Sequence, residues 1–262
     1  MNAFLSAFWA EWLKARRSKV SWLAVAAFAI LPLVDGLFMF ILKDPERARA
    51  MGLIGAKAQL TAGVADWPTF FQVLLMGTAI GGAILFAFIT AWVFGREFSD
   101  HTVKELLALP TPRAIIVGAK FVLIMIWVMG LALMIFVMAL GVGMAMDIPG
   151  WSLELAWSSF WSLMLIALLT FMLMPFVALL ASSGRGYLPP LGWASLTMAL
   201  AQIAGVLGWG DWFPWFVPAL LANLGEPRAA PIAVHSYTLV LLACLVGAVA
   251  TFAWWRSADQ AR

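Results

Sequence analysis

The sequence predicts an all-α polytopic membrane protein with six transmembrane helices, a cytoplasmic amphipathic helix at the N-terminus and an extracellular re-entrant hairpin before the last helix. Composition is the first reason. Of 262 residues, 64% are hydrophobic and 11% charged, against roughly 45–50% and about 25% in soluble domains. Mean hydropathy is +0.97. These values exclude a soluble enzyme, a disordered tail and a nucleic-acid-binding domain, and leave room for about six crossings at ~20 apolar residues each. Patterning is the second reason. The apolar runs are continuous and lack the alternation of barrel strands, so helices are the default, because a bilayer requires backbone polar groups to be satisfied internally.

The first element is an amphipathic helix within residues 1–19. Phe4, Leu5, Phe8, Trp9, Trp12 and Leu13 recur at the spacing of one helical face. A secretory signal places its positive charges before the apolar region; here Lys14–Lys19 follow it. The pattern predicts a helix lying on the cytoplasmic leaflet with its basic end among anionic lipid headgroups. Apolar runs at 20–42, 67–94, 121–146, 157–181, 188–207 and 236–255 then supply the spans, so that residues 1–262 form a single transmembrane domain. Residues 212–224, WFPWFVPALLANL, are apolar but short. Pro214 and Pro218, flanking Trp215, each remove a helical hydrogen bond, which predicts a re-entrant segment rather than a crossing. Trp209, Trp212, Trp215 and Phe216 are then expected at the outer interface.

Six spans put both termini on one side. That side receives eleven of the 16 Lys and Arg residues, and the positive-inside rule makes it the cytoplasm of a cell inner (plasma) membrane. Cys244 is the only cysteine and the two histidines, His101 and His235, are far apart. The sequence therefore offers neither a disulfide nor a local His/Cys metal cluster.

The longest cytoplasmic connection, residues 95–120, is GREFSDHTVKELLALPTPRAIIVGAK. Ser99 or Asp100 is expected to cap a short helix beginning near Thr102. Val103, Leu106 and Leu107 lie at i, i+3 and i+4 and form an apolar stripe opposite Lys104 and Glu105. Pro110 and Pro112 end it, and Arg113 starts the return. From pattern alone, such a stripe serves equally as a docking peg for a cytoplasmic partner or as a surface resting on the bilayer.

Three further features stand out. Asp35 is the ionisable residue inside the first apolar run, ~24 Å along the helix from Lys19. It is expected at the outer boundary, where it reaches water, with a substrate path as the weaker alternative. Gly77 and Gly81 form a G-x-x-x-G that marks helix packing, inside the subunit or at a dimer seam. The methionines, with i, i+4 pairs at Met125/Met129 and Met134/Met138, read as lipid-facing or gap-filling side chains rather than copper ligands.

The 95–120 loop resembles the cytoplasmic signature of the type-two ATP-binding-cassette permeases. That pattern comprises an acidic residue at the end of the second span, Gly-Thr, Leu-Leu, Pro-x-x-Arg and a Lys entering the third span. Glu97, Thr102, Leu106, Leu107, Pro110, Arg113 and Lys120 match it, and His101 departs from it where the family has glycine. The FPWFVP hairpin is most similar to that of the subgroup containing the bacitracin and lantibiotic self-immunity permeases and the nitrous-oxide-reductase maturation permease. The resemblance implies an exporter subunit without its own ATPase. ATP and Mg would be bound by a separate nucleotide-binding ABC ATPase, and no cofactor by this chain. Residues 97–110 would act as the coupling helix, with Glu97, Thr102, Val103, Leu106, Leu107, Pro110 and Arg113 as its working residues. A second permease copy or a sister permease and membrane lipid are the other implied partners; nucleic acid is not. In keeping with this, the sequence contains no G-x-x-x-x-G-K-[ST] loop. An intramembrane enzyme would need paired carboxylates or a His pair within the spans, which are absent from them. A secondary transporter or a non-catalytic membrane scaffold is the alternative, although no internal repeat supports a carrier.

Overall fold

The computed structural model describes residues 3–52, 64–103, 105, 110–223 and 232–257, and among them every regular element is helical. Helix α1 (Ala3–Arg17) meets α2 (Lys19–Lys43) at Ser18, whose extended backbone breaks the chain direction and whose Oγ accepts the Val20 N–H at 3.1 Å. The Ser21 hydroxyl donates to the Ala15 carbonyl, so the corner is tied from both sides and one orphan amide and one orphan carbonyl of the adjoining helix ends are satisfied. A short α3 (Pro45–Ala50) follows, capped by Asp44.

Helix α4 (Trp67–Gly77) starts at Asp66, whose carboxylate accepts the Thr69 N–H. It continues through one π-helical turn, Thr78–Gly82, into α5 (Ala83–Ser99). Then come α6 (Arg113–Met146), α7 (Leu153–Ser183), α8 (Leu188–Val206), two 3-10 turns (Gly210–Trp212 and Pro214–Phe216), α9 (Val217–Leu221) and α10 (Val234–Ser257). Among the described residues, five helical segments are long and apolar enough to cross a membrane: α2, α4 to α5, α6, α7 and α10. The run expected at 188–207 is helical as α8, but Pro189, Pro190, Gly192, Ser195, Thr197 and Gln202 make it less apolar than those five.

Helix α7 forms the centre. Of its most apolar stretch 61% is buried, against 22% for α10 and 28% for α2. The carbonyl of Pro175, inside α7, accepts the Thr251 hydroxyl of α10 at 3.0 Å. Stacked rings bind the other helices, Phe28 on Phe86 and Phe71 on Phe136, an arrangement worth about 0.5–1.5 kcal/mol per pair beyond area burial.

Several expectations are revised. Helix α6 begins at Arg113 rather than near 121, and α5 runs to Ser99, so Glu97 and Lys120 are helix residues. Charge at these ends is paired, so it does not stop the helices where the apolar runs stop. Ser99 is the last residue of α5 and Asp100 its C-cap; Val103 and Glu105 are again helical. Gly77 and Gly81 face Leu31 of α2, with ideal Cβ positions 3.3 and 3.7 Å from its Cδ2; the motif packs inside the subunit. Of the four aromatics expected at the outer interface, Trp209 and Trp212 are exposed, but Trp215 packs on Phe176 and Trp193 and Phe216 is buried. Gly205 and Gly210 clasp the Phe216 ring so closely that a Cβ on either would collide with it. Pro214 and Pro218 each occupy the first turn of a short helix, where the missing N–H costs nothing.

Candidate coupling site

Four charged side chains meet at the end of the bundle that carries the α1–α2 corner. On α5, the Val93 carbonyl and Glu97 lie one turn apart. On α6, Lys120 lies two turns beyond Arg113. On α1, Glu11 and Lys14 are i, i+3 neighbours. Lys120 is fully buried. Its ammonium donates to Glu97 Oε1 at 2.8 Å, to the Val93 carbonyl at 2.8 Å and to Glu11 Oε2 at 3.1 Å, which uses all three of its protons. Lys14 Nζ donates to Glu11 Oε1 at 2.7 Å and to Glu97 Oε1 at 3.2 Å. Two carboxylates and two ammoniums cancel, the condition under which buried charge is tolerated. Glu97 Oε2 is buried and has no hydrogen-bond partner among the described residues, so satisfaction falls one atom short. Burial acts to raise the pKa of Glu11, but the charges of Lys120 and Lys14 outweigh it and hold the carboxyl below its ordinary value.

A second link lies beside this network. Arg113 Nη1 donates to the Trp255 carbonyl of α10 at 3.2 Å. The Trp255 indole, almost wholly buried, donates to Ser182 Oγ of α7 at 2.9 Å. Phe94 and Phe98 of α5 meet the Trp255 ring edge to face. Both flanks of the 95–120 loop are therefore fastened to other helices, Glu97 and Lys120 to α1, and Arg113 to α10 and, through Trp255, to α7.

The end of α5 explains His101. The Thr102 N–H donates to the Glu97 carbonyl and the His101 N–H to the Phe98 carbonyl, at 2.9 and 3.3 Å. His101 has φ +58°. This is a Schellman turn with its left-handed residue at His101, where glycine is conformationally favoured. The turn forms despite the substitution. Thr102 and Pro110 are exposed and Val103 packs on the core. Leu106 and Leu107, with Lys104, lie outside the described residues.

Asp35 is placed differently from the expectation. Its side chain is 4% exposed and Oδ2 lacks a hydrogen-bond partner among the described residues. The reason is rotational. The buried positions of α2 are 24, 28, 32, 35, 36 and 39, a helical stripe on which Asp35 falls. Sequence reasoning also missed Glu11, the sole acid within residues 1–19. Among the described residues no group of three or more His, Cys, Asp or Glu side chains could hold a metal ion.

A bundle of long apolar helices, with the ends of α5 and α6 braced by buried ion pairs, is that of a polytopic membrane protein, and comparison with known families gives its class. The family model described as ABC-2 family transporter protein matches residues 7–201, well over half of the chain, and the protein belongs to that family. It is 25% identical over 192 residues to the bacitracin transport permease protein BCRB of Bacillus licheniformis, a match covering 73% of this chain and 91% of that relative.

Proposed function

We propose that the chain is the membrane-spanning subunit of an ATP-driven exporter, worked by a separate nucleotide-binding subunit through residues 97–110 and pairing with a second permease copy or a sister permease. The observation that carries this reading is the fastening of both loop flanks. A partner that displaces the loop pulls on Glu97 and Lys120, hence on α1, and on Arg113, hence on α10. Leu106 and Leu107 supply the apolar contact with the ATPase, and two bundles driven in this way alternate between inward-facing and outward-facing states as rigid bodies. The relative's bacitracin transport favours an amphipathic, peptide-like substrate among the peptides, lipids and drugs that apolar spans suit.

Six crossings with both termini in the cytoplasm fit the same reading. Glu11, Glu97, Lys120, Ser182 and Trp255 cluster at one end. The chain therefore leaves α7 at that end and returns to it along α10. Helix α8, ~28 Å long at 1.5 Å per residue, with the broken segment 207–223, carries it across between them; that segment is the re-entrant hairpin on the outer side.

The test replaces both loop leucines, Leu106→Asp with Leu107→Asp, in chain co-expressed with its ATPase. Transport and co-purification of the ATPase are expected to be lost while the thermal midpoint of the membrane bundle is kept. Survival of both activities refutes the assignment.

A further inference from the structure

An apolar groove of about 410 Å³ opens between the α1–α2 corner and the flank of α6. Trp12 and Ala15 of α1, Trp22 and Val25 of α2, and Trp127 and Met134 of α6 form its walls. Arg16 and Ser21 stand at its mouth. Arg16 is exposed and makes no ion pair with a described residue, and the exposed Arg17 and Lys19 lie beside it. Along α6 the groove runs from Leu123 to Met134, ~16 Å at 1.5 Å per residue. That is the depth of about one leaflet of a ~30 Å hydrocarbon core. Trp22 is 74% exposed, and a Cβ on Gly130 would meet nothing within 4 Å, so the groove is open along this side.

We propose that this groove is a binding site for one anionic phospholipid of the cytoplasmic leaflet, an acyl chain lying along α6 and the headgroup phosphate paired with Arg16. Charge and shape select this occupant. The apolar face of a second copy's helix has no need of a guanidinium at one end. A flexible acyl chain fits a narrow, one-leaflet slot. Arginine binds phosphate oxygens through its planar fork of donors, and Arg17 and Lys19 add attraction for an anionic headgroup over a zwitterionic one.

Native mass spectrometry of the purified full-length chain, equilibrated with phosphatidylglycerol or phosphatidylcholine of the same acyl composition, tests the site. The wild-type chain is expected to retain one phosphatidylglycerol in preference to phosphatidylcholine. Arg16→Gln should reduce that preference about fivefold, the effect of one basic residue near the surface. Gly130→Leu, whose Cβ would meet no protein atom within 4 Å and whose side chain suits a helix interior, should abolish retention of both lipids while helicity and thermal midpoint are kept. If that variant fails to fold, Gly130→Cys with Cys244→Ala, blocked after folding with a benzyl thiosulfonate, should give the same loss. Unchanged retention in the filled or blocked chain marks bulk annular lipid and overturns the proposal. Spontaneous disulfide-linked dimers of the Gly130→Cys chain also overturn it, since they place a second copy over the groove.

Discussion

Lys120 is the hinge of the buried network, and its removal has a calculable consequence. Lys120→Met keeps the length and apolar stem of the side chain but removes three hydrogen bonds, to Glu97, Val93 and Glu11, and one of two positive charges. The remainder is two buried carboxylates sharing Lys14, whose side chain is 31% exposed. Breaking a buried pair from one side costs about 3–5 kcal/mol, because the partner charge stays behind in a poorly solvated place. With roughly 2–4 °C per kcal/mol for a chain of this size, the thermal midpoint should fall by on the order of 10 °C. Fluorescence-detected size-exclusion chromatography after heating, in one detergent and at one pH, measures this directly.

The compensated variant separates charge imbalance from lost packing. Glu11→Gln added to Lys120→Met restores neutrality, with Glu97 and Lys14 left as a pair. It should recover part of the loss, a coupling of about 0.5–3 kcal/mol between contacting groups. A Lys120→Met chain within about 1 kcal/mol of wild type would refute the reasoning. So would a double variant whose loss is the sum of the two single losses.

Glu11 sets a pH dependence in the acid range. Its folded pKa lies below the ordinary 4.5, so its stabilisation is fully present above that value and is lost as pH falls below it; thermal midpoints of wild type and Glu11→Gln measured between pH 7 and 3 should converge at the acid end. His101→Gly should stabilise the chain by about 1 kcal/mol, because a side chain in the left-handed region costs roughly 1–2 kcal/mol and glycine adopts it freely. A lowered midpoint on thermal unfolding would show that the His101 side chain contributes something its exposed position does not reveal.

Class and helix content were legible because they follow from bulk quantities: apolar run length decides whether a segment can cross, and continuous runs decide for helix. The position of Asp35 was legible in principle, since the stripe at 24, 28, 32, 36 and 39 includes its face of α2. The buried network was not. Glu11, Lys14, Glu97 and Lys120 each look like ordinary boundary charges, and nothing local says that Lys14 and Glu97, 83 positions apart, or Glu11 and Lys120, 109 apart, meet. Lys120 was visible only through a family pattern, which names the position and not its partners. The π turn at Thr78–Gly82 was also invisible, because an inserted residue leaves an unbroken apolar run looking the same. The leucine stripe at Leu106 and Leu107 stands on periodicity and resemblance alone.

The network and the groove share one helix, and this links them mechanically. On α1, Glu11 turns toward Lys120, while Trp12, Ala15 and Arg16 line the groove. A displacement of the 95–120 loop that shifts Glu97 or Lys120 must either stretch short charge-assisted hydrogen bonds or carry α1 with it. Since each such bond contributes about 1.5–3 kcal/mol, carrying α1 is the easier course. Moving α1 changes the width of the groove, because Trp12 and Arg16 form one of its walls. A lipid seated there therefore acts on the same rigid strap that the loop pulls, and any difference in its affinity between the two positions of α1 biases the equilibrium between them by that same free energy.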